Sequence, residues 1–226
     1  MAATELKWTG TTDGDWQNST NYDPSSADIP TTNDTVIVPK GATVAIDTNL
    51  ENSTTDLAAF IVEEGCAIAI GTAANPLEIG LSTGAEVLLG GTGEIHVEFA
   101  GDATGAIMDV TGAGSDKLFI SGYNSEEMCD TLNVKAPTGT VHVGWNPTET
   151  AQVDDIVKSG ACTLKIGDSV TKTGGGAIDE VRSAAGTTYI ESALTLLTQR
   201  GGTVYYDEGA LATGTIYNGT CFYRSN

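Results

Sequence analysis

The chain has 226 residues, with 30 acidic side chains against 10 basic ones and a net charge of −20. Phosphate backbones and anionic bilayer surfaces both repel such a chain, so nucleic acid and membrane are set aside as partners. Hydrophobic residues reach 40% but aromatic ones only 6%, and 28 glycines face 6 prolines, which favours an elongated all-β chain punctuated by glycine.

Residues 1–33 are polar, irregular and aromatic, with Trp8, Trp16, Tyr22 and Pro30; they are read as a capping and anchoring segment ahead of one domain over 34–226. Strand-like pieces then follow one another: Thr35–Val38, Thr43–Ile46, Ala59–Val62, Cys66–Ile70, Leu77–Ile79 and Ala85–Leu89. Next come Glu94–Phe99, Ala106–Val110, Lys117–Ile120, Thr131–Val134 and Thr140–Val143. The last third adds Gln152–Val157, Cys162–Ile166, Ala177–Val181, Thr187–Ile190, Gly202–Tyr206, Thr213–Tyr217 and Cys221–Tyr223. Most are rich in Val, Ile, Leu and Thr. Few Asn-Gly or Asp-Gly pairs sit between matched strands, as a hairpin sandwich or barrel requires. A Gly-Thr-aliphatic theme recurs without a strict period. The expectation is all-β: a single-stranded right-handed parallel β-helix with inward aliphatic ladders. Glu191–Arg200 is the best helical candidate, and its leucines fit an extended edge equally well.

The four cysteines lack CxxC and Cys/His zinc spacing. Cys66, Cys162 and Cys221 each follow a glycine turn, which predicts reduced, stacked core thiols at equivalent coil positions. No basic and apolar leader opens the chain, so synthesis in a cytoplasm is expected. A solenoid exposes strand edges at both ends. Trp8, Trp16, Tyr22 and Pro30 are expected to roof the first coil, with Gly10 and Gly14 allowing tight passage. Thr220–Tyr223 brings no polar cap, so that edge is expected to be covered by another copy, a partner or the N-terminal segment.

The arrangement Trp8-x-Gly10-x3-Gly14-x-Trp16, Asn21-Tyr22, Pro30 and Asp34-x-Val36-x-Val38 resembles a segment of β-helical proteins. These are bacterial surface chains and structural proteins of tailed bacteriophages. The resemblance covers about the first fifth of the chain and implies a β-helical virion or surface protein. With no leader and no long repeat array, the phage structural family is the nearer match.

Catalysis is sought in paired carboxylates, since enzymes of polysaccharide cleavage also use this fold. Glu126-Glu127 and Asp154-Asp155 are contiguous, so on a strand they point to opposite faces, and Asp13 and Asp15 flank a glycine turn. All are read as solvated turn acids. His96 and His142 alternate with aliphatics, so both are expected exposed on the outer face; the alternative is a metal held with Glu94 or Glu98. Gly174–Gly176 is read as a flexible turn. Trp145 stands at a strand end, as a local turn plug or a platform for a sugar or partner. Alternation places Tyr205 and Tyr206 on opposite faces. Trp8, Trp16, Tyr22, Trp145, Tyr217, Phe222 and Tyr223 are the expected interface residues.

No catalytic residue, metal or cofactor is assigned. The expected function is non-enzymatic: a decoration or cement protein on a bacteriophage head, bound to the major capsid protein or another virion protein and favoured as a trimer. The alternative is an adhesion or receptor-binding β-helix that takes glycans.

Overall fold

The computed structural model describes residues 4–24, 29–51, 54–101, 104–112, 117–124 and 126–224; positions 1–3 and 25–28 of the expected capping segment lie outside the described residues. The first strands are β1 (Glu5–Trp8), β2 (Tyr22–Asp23), β3 (Thr35–Val38), β4 (Asp56–Val62) and β5 (Leu77–Leu89). β6 (Ile95–Ala100), β7 (Ile107–Val110), β8 (Lys117–Gly122), β9 (Glu127–Val134), β10 (Thr140–Val143) and β11 (Ala151–Lys158) follow. The last are β12 (Thr163–Ile166), β13 (Val170–Thr171), β14 (Ile178–Ser183), β15 (Thr187–Ile190), β16 (Leu194–Gln199), β17 (Thr203–Tyr206), β18 (Leu211–Ile216) and β19 (Thr220–Tyr223).

A short β-branched segment behind a glycine turn cannot bury its apolar face alone, so it stacks on its counterpart one coil away. β1, β3, β4, β5, β7, β9, β11, β14, β16 and β18 form one parallel stack. A second consists of β6, β8, β10, β12, β15, β17 and β19. The chain is a parallel β-solenoid. Register partners lie 27 residues apart at Ala59 and Glu86, 24 at Thr131 and Asp155, and 16 at Glu180 and Leu196. The coils shorten toward the C-terminus, which is why no fixed period is visible in the sequence.

Inward positions alternate as a pleated strand dictates. Phe60, Val87, Met108 and Leu132 stack in one interior column, and Ile95, Leu118, Val141 and Leu164 in another. Each buried side chain of this size contributes about 1.5–3 kcal/mol, against a backbone ordering cost of about 1–2 kcal/mol per residue. One corner is polar instead. Lys158, Ser183 and Gln199 share a register column and are all buried. The Lys158 ammonium donates to the carbonyls of Gly160 and Ala185, and Gln199 Nε2 to those of Gly202 at 3.1 Å and Thr220 at 3.0 Å. These side chains satisfy inward-pointing turn carbonyls that would otherwise cost about 1–3 kcal/mol each.

The opening aromatic signature builds the lid of the first coil. Trp8, Trp16 and Tyr22 are at most 2% exposed. Tyr22 lies edge-on to both indoles, with centroids 5.4 Å from Trp8 and 5.8 Å from Trp16, and its hydroxyl donates to the Trp16 carbonyl at 2.6 Å. Gly10 has φ +57°, and a Cβ there would lie 2.6 Å from that of Val44, so the close passage requires glycine. Buried Asp34 accepts from the backbone of Thr4 and of Thr31, both at 2.8 Å, and ties the two ends of the lid. This interior position corrects the expectation that Trp8, Trp16 and Tyr22 form contact surface: they shape the lid and are covered by it.

Other expectations also change. Glu191–Arg200 is extended, with Leu194–Gln199 as β16. Leu77–Ile79 and Ala85–Leu89 are one strand. Thr43–Ile46 and Cys66–Ile70 are not strands; only Ile46 and Ile70 form isolated bridges. All four cysteines are free, but their coil positions differ. Cys221 lies in the column of Leu164, Thr188 and Val204, whereas Cys162 stands two residues before Leu164 and Cys66 four before Ile70 of the same column.

Candidate functional site

The second stack presents one outward column in strict register: His96, Phe119, His142, Lys165, Tyr189, Tyr205 and Phe222. Beside it runs a threonine column of Thr140, Thr163, Thr187, Thr203 and Thr220. The strand alternation that sends Val141, Leu164 and Val204 inward sends both columns out. Rings and basic groups thus share one line along the rod.

The upper end of this line is covered. After Gly144, at φ +66°, residues 145–150 fold back over the rungs above. The His96 ring lies flat on Phe119 at 4.2 Å, and Trp145 stands edge-on to His96 at 5.3 Å and to Phe119 at 5.8 Å. Asn146 Nδ2 donates to Glu98 Oε1 at 2.9 Å. Burial lifts the Glu98 carboxyl above its usual range, against the lowering effect of the Asn146 hydrogen bond. His96 does point outward as expected, but it is only 2% exposed; the expectation of a solvated histidine is corrected because the Trp145 segment lies over it. Its Nε2 meets Glu94 Oε1 at 2.7 Å. Three buried polar atoms here, His96 Nδ1, Ser121 Oγ and Trp145 Nε1, have no hydrogen-bond partner among the described residues. Trp145 is half-buried and acts as the local plug.

Below Trp145 the line opens. His142, Thr163, Lys165, Ile166, Tyr189 and Glu191 border a groove of about 490 Å³. Lys165 is exposed and, among the described residues, has no carboxylate within 4.0 Å. Tyr189, Tyr205 and Phe222 continue the line as a face-to-face stack, with centroids 4.9 and 5.0 Å apart and rings 9° from parallel. Tyr206 turns inward and is fully buried, as the alternation of neighbours requires; burial pushes its hydroxyl up to about 12.

On the last described rung Ile216, Tyr217, Phe222 and Tyr223 are 53, 72, 48 and 53% exposed. Of the expected interface residues, these three aromatic ones are surface. Arg200 stacks over Tyr217 at 5.9 Å.

The acidic pairs act as ties. Glu126 accepts from Gly101 N, Glu127 from Thr104 Oγ1 at 3.0 Å, and Asp154 from Thr173 N at 2.9 Å. Asp13 holds Asn21, and Asp15 accepts from Asn49 Nδ2 at 2.7 Å. The turn 174–176 has positive φ throughout and is exposed. Among the described residues no group of three or more His, Cys, Asp or Glu is placed to hold a metal ion.

Charge is unequally spread along the axis. Residues 1–150 carry 22 acidic against 4 basic side chains, and 151–226 carry 8 against 6, a net −18 and −2. Because coils stack in chain order, one end of the rod is strongly acidic and the other nearly neutral. The groove and exposed rings lie toward the neutral end.

Compared with family models, curated proteins and solved structures, the chain matches none. Phe119, Lys165, Tyr189 and Glu191 were not singled out by sequence reasoning. Four of the recurring threonines carried the signal: Thr140-x-His142, Thr163-x-Lys165, Thr187-x-Tyr189 and Thr203-x-Tyr205 each place a ring or cation two residues on.

Proposed function

We propose that the protein acts by binding and rigidity, as a decoration protein on the outside of a bacteriophage head, assembled as a trimer. The observation that carries this reading is the polarity of the rod: exposed Ile216, Tyr217, Phe222 and Tyr223 occupy its nearly neutral end. Exposed apolar side chains gathered at one end suit a protein contact, whereas the acidic remainder repels its like and faces solvent. The buried lid and continuous core give the stiffness of a surface rod, and the opening signature that resembles phage structural proteins supports the major capsid protein or another virion protein as the partner.

The test is sedimentation of purified protein with tailless heads from the native source. Co-migration that is lost in a Tyr217→Ser/Tyr223→Ser variant supports the reading. Protein that stays at the top of the gradient in both forms removes it.

A further inference from the structure

The groove beneath Trp145 carries a second inference, which does not rest on the decoration reading. We propose that it is a binding site for a carboxylated sugar chain laid along the solenoid axis. Among the described residues no carboxylate lies within 4.0 Å of Lys165 in the groove, in a chain that has three acids for every basic residue. An acidic chain folded around a lysine without pairing it leaves that cation for an incoming anion. The net charge of the rungs over 151–226, which carry Lys165 and Tyr189, is −2, so a carboxylate meets less repulsion there than along the −18 of residues 1–150.

The remaining walls suit a sugar. Thr163 and Glu191 offer a hydroxyl and an acceptor, and Tyr189 an aromatic edge with a hydroxyl. A volume of about 490 Å³ falls within the range of about 300–1,000 Å³ typical of small-molecule pockets. The columns favour an extended occupant. Strand spacing of about 4.8 Å repeats Tyr189, Tyr205 and Phe222 along one line, so successive sugar units meet equivalent side chains, while Trp145 blocks the other direction.

Titration calorimetry at physiological salt, with oligogalacturonate hexamer as the acidic probe and maltohexaose as the neutral one, tests this. Binding of the uronate, with at least tenfold weaker binding by Lys165→Glu and by Tyr189→Ala, supports the site. Lys165 is exposed, so Lys165→Glu keeps the wild-type melting temperature, and loss of binding cannot be ascribed to unfolding. Three results overturn the proposal: no uronate binding, uronate binding indifferent to Lys165→Glu, or equal binding of maltohexaose. Each leaves sedimentation with heads unaffected, so the two readings fail separately.

Discussion

Phe119 lies flat against His96, their ring centroids 4.2 Å apart and 10° from parallel, on the outer face of two neighbouring rungs. Neither ring is inside the solenoid, yet His96 is buried because Trp145 covers it. Removing the cover exposes both rings and frees Asn146 from Glu98. Trp145→Ala is therefore expected to cost about 2 kcal/mol, below the roughly 3–5 of a fully buried tryptophan. Urea denaturation measures the loss, and hydrogen exchange locates it to residues 95–100 and 117–122.

The lid depends on Asn21, which is buried and accepts from Thr12 N at 3.0 Å while donating to Asp13 Oδ1 at 2.7 Å and the Asp15 carbonyl at 2.9 Å. Asn21→Ala takes the acceptor from Thr12 N and one donor each from Asp13 and the Asp15 carbonyl, which keep Asp15 N and Asn18 as partners, at a cost of about 1–2 kcal/mol. The expected result is a frayed first coil, seen as fast amide exchange at Thr12 and Asp13 while β14 to β17 stay protected. Uniform loss of protection would show that the lid and the rod unfold as one unit.

Acidity has opposed effects. Burial raises the carboxyls of Glu98, Glu127 and Asp155, with Asp130 adding to the effect at Glu127. A raised folded-state value gives stability that is full below the unfolded value and lost as pH rises through the folded one. Arg182 lowers Glu180; at Asp109 burial acts upward, and hydrogen bonds from Lys135 and Asn133 outweigh it. Those two contribute above the unfolded value, about 4, and their share is lost on acidification. Stability should thus rise as pH falls from neutral toward the unfolded carboxyl range of about 4, and fall below it. Urea midpoints across this range check it, and Glu98→Gln/Glu127→Gln should flatten the rise.

The thiols should differ in access. Cys66, Cys129 and Cys162 are buried and Cys221 is partly exposed, and burial raises all four thiols. A disulfide reagent on native protein is expected to label Cys221 alone, slowly, and the other three only in denaturant. Fast native labelling of Cys162 would contradict the closed corner beside Lys158.

The architecture was legible because parallel stacking repeats local rules: glycine turns, short β-branched runs, alternation. Tyr205 and Tyr206 were placed on opposite faces by that rule alone. The rule assigns direction but not cover, so His96 was put correctly on the outer face and wrongly in solvent; the residues that bury it lie 49 and 50 positions further on, at Trp145 and Asn146. Trp8, Trp16 and Tyr22 were recognised as a roof, but a roof of indoles hides its own rings. The groove went unread because Lys165 and Tyr189 are 24 residues apart in sequence and become neighbours only through the register of β12 and β15. The unequal coil lengths hid that register.

The uneven distribution of charge along the axis has a consequence for how the rod meets anything else. A body with −18 over one stretch and −2 over the other feels a torque in any external field, so it rotates before it touches. Near a negatively charged surface its acidic end swings away, and the rungs bearing Lys165, Tyr217 and Tyr223 lead the approach. Orientation is then settled over the last screening length of the approach, about 8 Å, by the sequence order of the coils.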